Sequence, residues 1–98
     1  MKYQQGDVLI KSCEEVKGEE LNHLILAEGE YTGHSHRIIE GMAKLVLYKN
    51  LLYLKVISKQ AKLFHDEHKE IILPTGFYKI DRVREYDHFE EEARRIID

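Results

Sequence analysis

The most regular feature of the hydrophobic pattern is a pair of apolar runs, residues 44–48 and 51–57, on either side of Lys49 and Asn50. Both runs consist mostly of leucine, valine, isoleucine and tyrosine, which are common in strands. Asparagine tolerates the positive φ that a two-residue hairpin turn requires. The pattern therefore predicts a β-hairpin over residues 44–57. Because its strands are apolar at nearly every position, we expect at least one to be covered on both faces or to form a dimer contact.

Several other short segments have the composition of strands and are bounded by glycine, asparagine or charged residues. They are residues 7–12, 21–27, 34–40, 61–64, 71–73 and 77–86. Between the last two, Pro74, Thr75 and Gly76 combine a fixed φ with a permissive residue, which indicates a turn. Short strands at this spacing are typical of a compact antiparallel barrel or roll.

The end of the chain, residues 86–98, changes to a helical pattern. Asp87 can serve as an N-cap, and two Glu–Arg pairs have the favourable i, i+4 order. These pairs are Glu90 with Arg94 and Glu91 with Arg95. The sequence therefore predicts a single domain, residues 1–98, of the all-β class. We expect a small antiparallel barrel or roll of about seven short strands, with a short C-terminal helix.

Composition limits the partners that such a domain can have. Its 98 residues are 43% hydrophobic and 34% charged with a net charge of −3, which is typical of a globular domain. The acidic balance argues against a general electrostatic attraction to extended nucleic acid. The single cysteine, Cys13, fits a reducing compartment. No window approaches the roughly 18 apolar residues of a membrane span, so we expect a cytoplasmic protein that does not enter the membrane.

Histidines and carboxylates are concentrated in two short segments. His34 and His36 are two residues apart, Glu40 follows, and His65 and His68 form a second group. On a strand, residues two or four apart share a face, so the first three side chains would point to one place. Imidazole and carboxylate are ligands for zinc, manganese, iron and nickel. We therefore predict a divalent metal site that draws its ligands from both segments.

The spacing of His34, His36 and Glu40 resembles the first of the two cupin motifs, in which HxH and a following glutamate supply three metal ligands. The resemblance covers about a dozen residues and implies that these three side chains bind a metal. Lys79 stands where the second cupin motif has a histidine, so that motif is absent. The chain as a whole also resembles a group of short uncharacterised bacterial proteins, which implies no particular function.

If the protein is an enzyme, a metal-activated water would act on a small anionic substrate that Arg37 orients. A second hypothesis needs no metal. In it His34, His36, His65 and His68 act as general acid and base, and basic side chains hold the phosphate of RNA or of a cyclic nucleotide. The basic candidates are Arg37, Lys69, Lys79, Arg82 and Arg84.

A third hypothesis is a non-catalytic binding module that forms a homodimer through the hairpin of residues 44–57. The first two hypotheses imply a small-molecule or nucleotide ligand, whereas this one implies a second copy of the chain. Motifs of serine hydrolases, P-loop NTPases and dehydrogenases are absent from the sequence, so these classes are poor candidates.

Overall fold

The structure is a computed structural model, which describes residues 1–28 and 34–82. These residues form eight antiparallel strands and contain no helix, and hence none that could cross a bilayer. The strands are β1 (Lys2–Gln5), β2 (Val8–Ser12), β3 (Glu19–Glu20), β4 (Ile25–Glu28), β5 (Ser35–Glu40), β6 (Ala43–Tyr48), β7 (Leu51–His65) and β8 (His68–Arg82). The predicted all-β class is confirmed. The predicted helical tail, residues 86–98, lies outside the described residues.

The strands form one sheet in the order β1-β2-β8-β7-β5-β4, and β6 pairs with β7 and also with β3. β7 is the central strand, because its first half pairs with β6, its second half with β5, and most of its length with β8. Two pairs of segments that the sequence suggested as separate strands are thus continuous. Residues 51–57 and 61–64 both belong to β7, and residues 71–73 and the start of 77–86 belong to β8.

The predicted hairpin of residues 44–57 is present, with Lys49 and Asn50 as its turn. Their φ angles are 50° and 63°, and Tyr48 pairs with Leu51 across the turn. Positive φ at both central residues is the geometry that lets a two-residue loop follow the twist of its strands. Asn50 therefore has the role that its residue type suggested.

The predicted turn at Pro74, Thr75 and Gly76 is wrong, because β8 runs through these residues. Pro74 pairs with Gln60 and Gly76 with Val56. One residue of β8 thus lies opposite three residues of β7, and the ladder is irregular at this point. Proline lacks a backbone donor and is tolerated in a strand where regular pairing is interrupted, so the proline marks a bulge here and not a chain reversal.

The sheet is curled into a half-barrel. A straight strand as long as the 15-residue β8 would span about 50 Å. Yet the His68 ring at its start lies against Gly6, where an added Cβ would be 2.6 Å from Nε2, and Arg82 at its end bonds to Asp7. Gly6 and Asp7 form the turn between β1 and β2, so side chains from both ends of β8 contact the same turn.

Apolar side chains from most strands form the core. The buried members are Val8, Ile10, Leu26, Ala27, Ile38, Ala43, Leu45, Leu54, Val56, Ala61, Leu63, Leu73, Tyr78 and Ile80. A smaller cluster of Val46, Tyr53 and Phe77 packs separately. Neighbouring residues of the hairpin, such as Tyr53 and Leu54, therefore belong to different clusters, which explains why the hairpin is apolar at successive positions.

Candidate functional site

Two of the four predicted histidines lie side by side on neighbouring strands. Arg37 of β5 pairs with Phe64 of β7, so the adjacent residues, His36 and His65, are neighbours on the opposite face of the sheet. Both are buried, with 2% and 5% of their surface exposed. Their ring centroids are 4.3 Å apart.

The other two histidines border this pair. His65 and His68 pair across the tight turn between β7 and β8, with ring centroids 4.7 Å apart. His68 stacks nearly parallel to His36 at 5.9 Å, and His34 meets His65 edge-on at 5.9 Å. The two histidine segments of the sequence therefore meet. Below, these four side chains are called the histidine cluster.

A buried glutamine, Gln5 of β1, contacts His36 from the core side. Gln5 is 2% exposed, and its amide nitrogen donates to the carbonyl oxygens of Leu63 at 3.1 Å and Lys69 at 2.9 Å. The amide oxygen is left as an acceptor and lies 2.9 Å from Nδ1 of His36. Because this oxygen can bond only to a donor, Nδ1 of His36 carries a proton.

The second ring nitrogen of His36 faces a carboxylate. Nε2 of His36 is 3.5 Å from Oδ1 of Asp7, and the other carboxylate oxygen accepts a 2.6 Å hydrogen bond from Arg82. Burial raises the pKa of Asp7, but the hydrogen bond and charge of Arg82 lower that pKa overall. An ionised carboxylate therefore lies beside a buried imidazole at neutral pH.

Both central histidines are neutral at pH 7, and they carry their protons on different nitrogens. Burial, and then the charge of His65, lowers the pKa of His36 to about 4. Burial and the charge of His68 lower the pKa of His65. Nδ1 of His65 accepts the backbone N–H of Glu67 at 3.0 Å, so neutral His65 carries its proton on Nε2. His36, by contrast, carries its proton on Nδ1.

Glu40, which was expected to share a face with His36, lies on the other face of the sheet. Ile38 and Glu40 occupy consecutive ladder positions opposite β7, so Ile39 between them is bulged and the alternation shifts by one residue. The Glu40 carboxylate pairs instead with Lys62 at 2.9 Å. The prediction assumed that β5 alternates regularly from His36 to Glu40, and the bulge at Ile39 makes this assumption wrong.

Arg37 also lies away from the histidine cluster. It adjoins His36 on β5, so its side chain projects from the opposite face. The guanidinium lies 4.9 Å from the centroid of the Phe64 ring and donates to Asp66 at 3.3 Å. Of the predicted site residues, the structure thus brings together the four histidines and separates Arg37 and Glu40 from them.

The histidine cluster is not a closed coordination shell. Within residues 1–28 and 34–82, no three His, Cys, Asp or Glu side chains converge closely enough to hold a metal ion as they stand. The imidazoles are stacked, tilted or edge-on to one another at centroid separations of 4.3–5.9 Å. Binding an ion would therefore require at least one side chain to rotate.

Two residues of this site, Gln5 and Asp7, were not identified from the sequence. The Gly6–Asp7 pair is a typical turn signal between two short strands, so the β1–β2 hairpin itself was detectable. Contact with His36 depends on the curl of the sheet, and no local pattern carries that information. A single glutamine in an edge strand likewise gives no signal.

Residues 4–83 match the family model described as "Domain of unknown function (DUF8820)", so the chain belongs to this family. The match includes all of the histidine cluster as well as Gln5 and Asp7. Neither the search of curated proteins nor the search of solved structures found a match. The family assignment agrees with the resemblance to uncharacterised proteins, and no comparison supports the resemblance to cupins.

Proposed function

We propose that this member of the DUF8820 family binds a divalent metal ion at the histidine cluster, with Nε2 of His36 and the carboxylate of Asp7 as its first two ligands. The observation that carries the proposal is their separation of 3.5 Å. With metal–ligand bonds of about 2.0–2.2 Å, two ligand atoms of a tetrahedral site are about 3.4 Å apart. The spacing therefore suits one shared ion.

The protonation states support the same conclusion. His36 keeps its proton on Nδ1, where it bonds to Gln5, so its Nε2 presents a lone pair. Asp7 is ionised and has only acceptor atoms. Two acceptors that face each other do not form a hydrogen bond, whereas a cation between them would satisfy both.

His68 is the third ligand in this proposal. Its ring lies against Gly6, directly before Asp7 in the chain, and His68 is an exposed residue, so its side chain has room to rotate toward the ion. His34 is half-buried and would have to give up its contact with Glu67 to occupy a fourth position. His65 suits a ligand role less well, because binding through Nε2 would require its proton to move to Nδ1 and displace an existing hydrogen bond.

This donor set restricts the ion and its chemistry. Imidazole nitrogen together with carboxylate oxygen suits zinc, manganese, iron or nickel. Arg82 already balances the charge of Asp7, so a divalent ion would leave the site positively charged and attractive to a small anionic ligand. A bound ion with an open position would supply an activated water.

The test is metal analysis of protein purified without a histidine tag, followed by calorimetric titration of the stripped protein with zinc, manganese, iron(II) and nickel. We expect at least one ion to bind and to raise the melting temperature. His36→Ala and Asp7→Asn should each lower the affinity at least tenfold. Glu40→Gln is a matched control, since this carboxylate lies on the opposite face, and His23→Ala controls for the loss of an exposed histidine.

The proposal fails if no metal is found in the isolated protein and none of the four ions produces heat or a thermal shift. It also fails if Glu40→Gln weakens binding as much as Asp7→Asn. Circular dichroism of each variant separates a lost ligand from a lost fold.

A second candidate function is metal-independent acid–base cleavage of a phosphodiester in RNA or a cyclic nucleotide. The adjacent rings of His36 and His65, whose centroids are 4.3 Å apart, favour it. His36 offers an unprotonated Nε2 that can act as a base. His65 would act as the acid in its imidazolium form, because the N–H of a neutral imidazole does not release a proton readily, and its lowered pKa places that form at acidic pH. A neutral and a protonated imidazole side by side can remove one proton and deliver another.

A chelator separates the two functions. With excess EDTA, acid–base cleavage of a cyclic nucleotide or a short RNA should continue, and His36→Ala or His65→Ala should each reduce it at least a hundredfold. Cleavage that stops in EDTA and returns with added metal supports the metal site instead. Cleavage that survives both substitutions in EDTA excludes acid–base use of these histidines.

A further inference from the structure

We infer that Gln5 is a positioning residue, which fixes His36 in the Nδ1–H tautomer and keeps Nε2 open toward Asp7. The tautomer itself follows from the contacts of the metal-free protein. Its consequence for binding rests on the proposed metal site.

The orientation of the Gln5 amide is fixed by its partners. Both of its donor bonds go to backbone carbonyl oxygens, those of Leu63 and Lys69, and carbonyl oxygens only accept. Turning the amide over would place its oxygen against these two acceptors and leave both carbonyls without this donor, which is unfavourable for groups removed from water. The amide oxygen must therefore face His36, and it selects the protonated Nδ1.

The pairing of β7 with β8 explains why these carbonyls need a donor. The register shifts between Leu63 and His65, so the regular ladder is interrupted beside the histidine cluster. Gln5 supplies donors at this interruption from a different strand, β1. A role in filling the irregular ladder and a role in setting the His36 tautomer therefore coexist in one side chain, and an experiment must separate them.

The expected functional effect is that of an outer-shell partner. A hydrogen bond to the second nitrogen of a ligating histidine fixes the tautomer and the ring orientation, and its loss typically lowers metal affinity 10–100-fold. Without Gln5, the proton of His36 could move to Nε2, where it would bond to the Asp7 carboxylate. The proton on Nε2 would then occupy the position between His36 and Asp7 where the proposed metal ion binds.

The test is nitrogen-15 NMR of the histidine rings in metal-free protein at pH 7. In the wild type, Nδ1 of His36 should appear as a protonated nitrogen and Nε2 as an unprotonated one. Gln5→Met removes both the donors and the acceptor with little change in side-chain length, so the proton should move to Nε2 or exchange between the two sites. Gln5→Glu removes the amide donors but keeps an acceptor oxygen, so Nδ1 should remain protonated.

The comparison of the two variants separates the roles of Gln5. Both should lose stability, because both lose the amide donors at the interrupted ladder, but only Gln5→Met should change the tautomer. The inference is overturned if wild-type His36 carries its proton on Nε2, a result that needs no variant to fold. It is also overturned if Gln5→Met keeps a fully protonated Nδ1. The NMR measurement uses metal-free protein, so it tests the tautomer of His36 independently of metal binding. The predicted tautomer without metal binding would refute only the proposed metal site. Metal binding with the opposite tautomer would refute only the role of Gln5.

Discussion

Acidification should destabilise the metal-free protein through His36, and the loss should begin near pH 6.5, above the range in which ordinary carboxylates are protonated. The pKa of His36 is about 4 in the folded protein, compared with an ordinary value of 6.5. As the pH falls below 6.5, the unfolded chain binds a proton at this ring while the folded protein does not. The free energy of unfolding must then decrease. This contribution is complete above about pH 7 and is lost as the pH falls through about 4.

The size of the effect follows from the same two values. A gap from 6.5 to about 4, at about 1.4 kcal/mol per pH unit, corresponds to about 3 kcal/mol. The lowered pKa of His65 acts in the same direction. A loss of about 3 kcal/mol is a substantial part of a typical total stability of about 5–15 kcal/mol. In a domain of this size it should lower the melting temperature by more than about 10 °C.

Urea unfolding of the stripped protein at several pH values between 4 and 7.5 measures this directly. We expect the wild type to lose at least about 3 kcal/mol over this range. His36→Gln, which lacks the titrating ring at position 36, should lose much less. His23→Gln, which removes an exposed histidine outside the cluster, is the matched control and should keep the wild-type slope. A wild type with constant stability from pH 7 to 4.5, or a His36 that titrates near 6.5 by NMR, would refute the reasoning.

Three further predictions concern the packing around the site and the surface of the hairpin. Gly6→Ala should lower the free energy of unfolding by about 1–3 kcal/mol and shift the His68 NMR signals. The reason is that φ at this position is +58° and the new Cβ would lie 2.6 Å from Nε2 of His68. A variant as stable as the wild type would contradict this. Leu54→Ala, at a fully buried position, should cost about 2–5 kcal/mol in urea unfolding, while Leu51→Ala, at a position 40% exposed, should cost much less. If the hairpin forms a homodimer, as its composition predicts, Leu51→Glu should yield monomers in analytical ultracentrifugation without loss of fold; a wild type that is already monomeric at high concentration would end that hypothesis.

The sequence correctly predicted the features that depend on residues close together in the chain. The hairpin turn at Lys49 and Asn50 follows from the conformational tolerance of asparagine, and the all-β class follows from short apolar segments. It misled at Pro74 and Gly76, because the turn chemistry of proline and glycine also suits a bulge inside a long strand. The partner strand decides between these two outcomes, and it is distant in sequence.

The site was predictable only in part, for the same reason. The clustering of histidines in two segments predicted that the two segments meet, and the ring contacts between them show that they do. They meet because β5, which follows His34, pairs with the end of β7, where His65 lies. The position of Glu40 depended on whether β5 is regular, and the bulge at Ile39 moved its carboxylate to the other face. Asp7 lies near His36 because the whole sheet is curled. The spacing of residues along the chain does not predict that curl.

The central place of β7 has a consequence for how the site can respond to a ligand. His36, His65 and His68 belong to three neighbouring strands of the sheet, β5, β7 and β8, whose backbones are held about 4.8 Å apart by ladder hydrogen bonds. Apart from the irregular positions beside the cluster, this spacing cannot widen or narrow without breaking those bonds. Adjustment to a ligand is therefore limited to side-chain rotation, which is fast compared with hinge motions of the backbone. If the cluster binds an ion as proposed, binding should leave the backbone almost unchanged.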